Sequence, residues 1–130
     1  MKNFQLDIIT PTHIETYDNV SYLRIPALDG LTGIQARHAT AIIGLNIGEI
    51  KLSQGNKEKI FSTSGGFADI KPESVQLLLE TIEPKDSIDK KRAEDALGRA
   101  QKRIKDKEQD FQRAEKALLK AKNRLKILNK

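Results

Sequence analysis

Apolar and polar residues alternate from the start of the chain. Phe4-Gln5-Leu6-Asp7-Ile8 has the period of a half-buried strand, and Thr10-Pro11 ends it in a turn. Val20 to Pro26, Ala41 to Leu52, Lys59 to Thr63, Phe67 to Ile70 and Val75 to Ile82 repeat the theme. In the long central run Ile43, Leu45 and Ile47 share one face before Gly48 intervenes, which predicts a bulge or tight hairpin there. Turn signals recur at Asp18-Asn19, Asp29-Gly30, Gln54-Gly55-Asn56, Ser64-Gly65-Gly66 and Lys71-Pro72-Glu73. Ser74 to Ile82 is helical by composition, yet Val75, Leu77 and Leu79 also fit a strand, and Pro84 closes the segment. Many short strands at this spacing predict a sandwich or barrel.

The pattern then changes period. Ser87 to Lys130 contains no proline and one glycine. Phe111, Ala114, Leu118, Ala121, Leu125 and Leu128 recur at spacings of three and four, a heptad seam on a helix. Asp86 or Ser87 supplies a cap for a first helix running to about Ile104, with a stripe of Ile88, Ala93, Ala96, Leu97, Ala100 and Ile104. Asp106-Lys107-Glu108-Gln109 has the form of a capping box and Asp110 is a second cap, so another helix can start there. The predicted fold is α+β: an antiparallel β-sandwich over residues 1–86 and an antiparallel two-helix hairpin over 87–130. The stripe of the first helix is built mainly from alanine, and at about 25 cal/mol per Å² of apolar surface its small side chains hold the hairpin weakly.

Charge follows the same division. The arm from Ser87 carries 15 Lys or Arg against 7 Asp or Glu, and residues 1–86 carry 8 against 11. The overall charge of +5 therefore belongs to the arm. The absence of cysteine removes disulfides, thiolate nucleophiles and cysteine-based zinc sites, and no metal site suggests itself. No stretch reaches the ~18 apolar residues of a membrane span, and the N-terminus lacks a signal-peptide run.

Chemistry is sparse. His13 and His38 are far apart in the chain and neither sits in a nucleophile pattern. Ser64-Gly65-Gly66-Phe67 has the glycines of a phosphate loop without its Lys-Ser/Thr, and is better explained by a hairpin turn with positive φ. A small enzyme is not visible. A nucleic-acid-binding module with a basic arm is the alternative, but the arm has only Phe111 for stacking.

Phe4-Gln5-Leu6-Asp7-Ile8-Ile9-Thr10-Pro11, Asp29-Gly30-Leu31-Thr32-Gly33-Ile34, His38-Ala39, Gly48-Glu49-Ile50, Gly65-Gly66-Phe67 and Ile88-Asp89-Lys90-Lys91-Arg92-Ala93 occur in that order. Together they resemble the epsilon subunit of the rotary F-type ATP synthase, over the whole chain. One departure is Gln35-Ala36-Arg37, where the family often has a Leu-Pro-Gly type of turn.

The resemblance implies a ten-stranded sandwich, a two-helix C-terminal domain and no catalytic site. It implies a stalk subunit of a proton- or sodium-translocating machine, peripheral to the cytoplasmic face of a bacterial inner membrane, with no nucleic acid as partner. Asp29, Gly30, Leu31 and Thr32 are similar in position to residues facing the membrane rotor ring. Thr10, His38, Ala39 and Ala41 are similar to those facing the gamma subunit. The arm is implied to extend and reach the catalytic alpha/beta head, inhibiting hydrolysis through Arg113, Lys116, Lys120, Lys122, Arg124 and Lys126. No cofactor is required, but a regulatory ATP is implied by Glu83, Ile88, Asp89, Arg92, Ala93 and Arg99, with Asp89 at the base and Arg92 at phosphate. Lys122 and Lys126 stand near where binding members have arginines, and lysine does not replace a guanidinium fork.

Overall fold

The structure is a computed structural model describing residues 3–105 and 111–129, with the side chains of 103–105 and 111–114 outside the description. Two compact units divide the chain at Pro84 and Lys85.

The first unit holds ten strands: β1 Phe4–Ile9, β2 Ile14–Val20, β3 Tyr22–Ala27, β4 Gly30–Ile34, β5 Ala41–Leu45, β6 Gly48–Gln54, β7 Lys57–Thr63, β8 Gly66–Ile70, β9 Ser74–Leu79 and β10 Ile82–Pro84. Their hydrogen-bonded order is β10-β7-β6-β3-β5-β8-β9-β1-β2, with β4 on β3. The path is weakest at β3 and β5, which share the single pair Ala27↔Leu45. There the sheet folds over into two layers. Ile25, Ile34, Ile50, Leu52 and Phe61 from one layer and Leu6, Ile8, Ala68, Ile70 and Leu77 from the other form one buried cluster. The free edge β2 returns to β7 through Tyr17, whose ring meets Phe61 edge-on at 6.3 Å between centroids. Burial, and then the hydrogen bond that the Tyr17 hydroxyl donates to Glu15 at 3.0 Å, push this phenol up to about 12.

Three local expectations are corrected. The run Ala41 to Leu52 breaks at Asn46-Ile47 into β5 and β6, which do not pair with each other: β5 joins β8 and β6 joins β7. The break is a crossover between layers, neither bulge nor hairpin. Ser64-Gly65 is likewise a crossover from β7 to β8 and not a hairpin turn, although Gly65 and Gly66 do hold positive φ, 113° and 151°. A β-carbon on Gly66 would strike the Leu78 carbonyl oxygen and lie 2.9 Å from Leu79 Cα, because β9 runs directly beside it. Asp18-Asn19 is not a turn but part of β2, where the pairing slips between Phe4 and Leu6 and Asn19 takes φ 55°. Segment 74–79 is a strand.

Arg37 has φ 63° in the turn 36–37, and its N–H donates to the Pro72 carbonyl at 2.6 Å. Left-handed backbone of this kind costs a non-glycine residue on the order of 1 kcal/mol.

The second unit starts with a 3-10 turn, Lys85–Ser87, followed by α1 Lys90–Lys105 and α2 Phe111–Leu128. Asp89, rather than Asp86 or Ser87, caps α1: its Oδ1 accepts the Arg92 N–H at 3.1 Å and its carbonyl accepts the Ala93 N–H at 2.9 Å. The two helices pack on each other. They are antiparallel, since the five residues 106–110 are too few to return the chain along a helix of about 24 Å. Ala93, Ala100 and Ala121 are buried, Leu118, Leu125 and Leu128 half-buried, and Ile127, off the expected seam, is buried too. The expected capping box at 106–109, the cap Asp110, and the side chains of Ile104, Phe111 and Ala114 lie outside the described residues.

Candidate functional site: an apolar outer face and a helical arm

The two outer faces of the sandwich differ in chemistry. On the layer containing β3 and β6, Arg24 donates to Glu49 at 2.7 Å and Lys51 meets Glu58 at 3.3 Å. That face is ion-paired.

The face of β5, β8, β9, β1 and β2 is different. Register places Gly44 opposite Phe67, Phe67 opposite Leu78, Leu78 opposite Ile9 and Ile9 opposite Ile14. All point away from the core, and Phe67, Leu78 and Ile14 are 58%, 44% and 67% exposed. Leu28 extends the row: its Cδ1 lies 2.8 Å from where a β-carbon on Gly44 would be, so it occupies the space that the glycine leaves. Beside this row runs a second one, Ile42, Asp69, Gln76, Asp7 and Thr16, which is polar except for the exposed Ile42. A contiguous apolar row on an exposed sheet face marks an interaction surface.

The residues that the resemblance implies face gamma lie at two ends of this face. Thr10 follows Ile9 at the apolar end; His38, Ala39 and Ala41 lead into Ile42 at the other. Thr10 is already engaged. Its hydroxyl donates to the His13 carbonyl at 3.2 Å and accepts the His13 N–H at 3.3 Å, and it lies 3.2 Å from His13 Nδ1, while His13 Nε2 is 3.6 Å from Glu15. Hydroxyl, imidazole and carboxylate stand in sequence here as in a hydrolase, but on an exposed turn with Thr12 also on Nδ1 at 3.1 Å. The cluster ties the turn between β1 and β2. Of the ring-facing candidates, Asp29 lies in the turn between β3 and β4, and Gly30, Leu31 and Thr32 belong to β4; Leu28 and Leu31 are 66% and 68% exposed. Among the described residues no group of His, Cys, Asp or Glu could hold a metal ion, and no helix is long and apolar enough to cross a membrane.

Sequence reasoning missed Ile42, Phe67, Leu78, Ile14 and Leu28. The only available signal was an apolar residue on the polar phase of a strand, as at Leu78 between Leu77 and Leu79.

In the second unit, Ile88 and Ala93 are buried, so their side chains serve packing, while Asp89, Arg92 and Arg99 are exposed. Arg92 and Arg99 are two turns apart on one face of α1, and Asp89 is committed to the helix cap. Glu83 is half-buried in β10 of the first unit and already has a polar partner. Replacing Asp89 with alanine is expected to lower the stability of the helical unit by about 1 kcal/mol, read from its far-ultraviolet melting. Serine at this position should restore most of the loss.

The six basic residues of α2 do not form one strip. At 3.6 residues per turn, Arg113, Lys116, Lys120 and Arg124 fall on one side of α2, and Lys122 with Lys126 roughly opposite. Lys116, Lys122 and Lys126 are exposed, Lys120 and Arg124 half-buried, and the Arg113 side chain lies outside the described residues. Lys116 and Arg124 already have partners. Leu119, between the two groups, is 52% exposed.

Comparison with known proteins agrees with this architecture. Residues 3–85 match the family described as ATP synthase, Delta/Epsilon chain, beta-sandwich domain, and residues 86–129 the corresponding long alpha-helix domain. The chain is 38% identical over 127 residues to the ATP synthase epsilon chain of Desulforamulus reducens, covering 96% of each. It is 34% identical over 131 residues to that of Bacillus pumilus, covering 100% of both. A chain in the mitochondrial ATP synthase of Euglena gracilis shares the fold, with a TM-score of 0.81 at 22% identity over 93% of this chain and 78% of that one. The alternative of a nucleic-acid-binding module finds no support in these likenesses. A sandwich followed by a helix pair, matched along its length by both domain families and by full-length bacterial relatives, belongs to the ATP synthase delta/epsilon family and to its epsilon chains.

Proposed function

We propose that the chain is a non-catalytic subunit of the central stalk of an F-type ATP synthase, peripheral to the cytoplasmic face of a bacterial inner membrane. Its sandwich couples the gamma subunit to the membrane rotor ring, and its helical arm restrains ATP hydrolysis at the catalytic alpha/beta head. The observation that carries the coupling role is the outer face with Phe67, Leu78 and Ile14 exposed in one row. Gamma covers that row, and the tip bearing Leu28 and Leu31 meets the ring. The brake rests on the alanine-rich seam of Ala93, Ala100 and Ala121, which buries little area per residue, so a partner with modest preference for the extended arm shifts the balance. Arg92 and Arg99 give α1 a phosphate-binding face through which ATP favours the compact hairpin.

The test is reconstitution of the rotary ATPase with the whole chain and with a chain ending at Asp86. Both assemble, and hydrolysis is at least about twofold faster with the truncated chain, a difference of roughly 0.4 kcal/mol or more in the barrier. Equal rates would remove the brake and leave the coupling role standing.

A further inference from the structure

Arg37 sits on backbone that disfavours it. Among the described residues, Asn19 and Arg37 are the non-glycine residues with positive φ, 55° and 63°. Asparagine tolerates this conformation readily; arginine has no such aptitude. The turn is fixed in place by the bond from the Arg37 N–H to the Pro72 carbonyl at 2.6 Å. That bond needs only the backbone, and glycine would make it without strain. The side chain is exposed. Among the described residues, no ion pair engages the guanidinium.

Its surroundings suggest what does. The next residues, His38 to Ala41, lead directly into Ile42, which is 77% exposed on the apolar outer face. Pro72 lies between the exposed Lys71 and Glu73, and Asp69 stands opposite Ile42, so the corner carries Arg37 and Lys71 against two carboxylates. We propose that Arg37 is a specificity-determining contact of this face, its guanidinium held at the polar end to pair with a carboxylate on the protein that covers the apolar row. This rests on the reading of that face as the gamma-docking surface. A protein carboxylate suits the site better than a lipid headgroup, because the corner continues an apolar sheet face and two cations offset by Glu73 and Asp69 are fewer than an anionic membrane requires. A planar fork placed by a rigid turn gains bidentate geometry that lysine lacks.

The experiment measures binding of the native chain, Arg37→Gly, Arg37→Lys and Phe67→Asp to a gamma-containing complex depleted of this chain, at low and high salt, alongside melting of each free chain. Arg37→Gly should melt at the same or a higher temperature yet bind at least tenfold more weakly at low salt, with the gap narrowing at high salt. Arg37→Lys should recover only part of the loss. Binding by Arg37→Gly within twofold of native at low salt overturns the proposal, as does a loss that salt leaves unchanged. Native-like binding by Phe67→Asp with Arg37→Gly still impaired overturns the reading of the apolar face and leaves Arg37 as a contact. Native binding to phosphatidylglycerol vesicles that Arg37→Gly abolishes, with gamma binding unaffected, overturns the assignment to a protein carboxylate.

Discussion

Gly66→Ala is expected to cost the sandwich about 3 kcal/mol or more and to leave much of the chain unfolded. Gly66 is paired on both sides, with Leu45 of β5 and Leu79 of β9. Its φ of 151° aims the missing side chain at β9, where the Leu78 carbonyl oxygen and the Leu79 Cα stand in the way. A methyl group there has no rotamer to escape into, and the obstruction is backbone, so relief requires parting two strands. Ordinary domains are stable by only about 5–15 kcal/mol, so such a loss is a large fraction of the whole. Gly55→Ala is the control: its φ is 60°, but nothing lies within 4 Å of the added carbon, so only conformational strain of about 1 kcal/mol is expected. Urea titration of the two variants against the native chain measures both. Losses of equal size would show that conformation, not the blockade by β9, governs Gly66.

Phe67→Asp should do the opposite, sparing the fold and removing assembly. The ring is 58% exposed, so the free chain should melt within a few degrees of native. In the docked state an aromatic at the centre of an apolar row is the kind of residue that carries 2 kcal/mol or more, roughly a 30-fold loss of affinity on truncation. A carboxylate adds the cost of burying an unpaired charge. Binding to the gamma-containing complex is therefore expected to fall by more than about 30-fold. Gln76→Asp, one row away among polar residues, should change affinity by only a few-fold. If the two variants bind alike, the apolar row is not where gamma sits.

Where the strand period has one clear phase, as in Phe4, Leu6 and Ile8 or Ile50 and Leu52, the sequence pattern and the buried cluster coincide. The strand β2 escaped notice because its phase is inverted: Ile14 faces outward while Glu15 and Tyr17 face inward, so hydrophobicity points the wrong way. In β4 only Ile34 is buried and two of five residues are glycine, which leaves no alternation to follow. Gly48 and Gly65-Gly66 marked breaks correctly, but a glycine cannot say whether the chain reverses within a layer or crosses to the other; long-range pairing decides that. The exposed apolar row was hidden for a related reason. Leu77, Leu78 and Leu79 are chemically alike, and register alone sends Leu78 to solvent. The charge asymmetry of the arm was plain in composition, while its division around α2 follows from the helical turn.

The parallel pairing of β1 with β9, Gln5 opposite Ser74 through Ile9 opposite Leu78, also orders events during synthesis. Parallel neighbours need a connection of a dozen residues or more, and here the connection is nearly the whole sandwich. A nascent chain can form the hairpin of β1 and β2 early, but the second edge of β1 stays open until residue 79 has left the ribosome. At about 5–20 residues per second that is several seconds with an unpaired, apolar strand edge exposed. Such non-local closure makes this domain a slow folder. The helix pair, whose contacts are local, then emerges behind a partner-binding body that is only just complete.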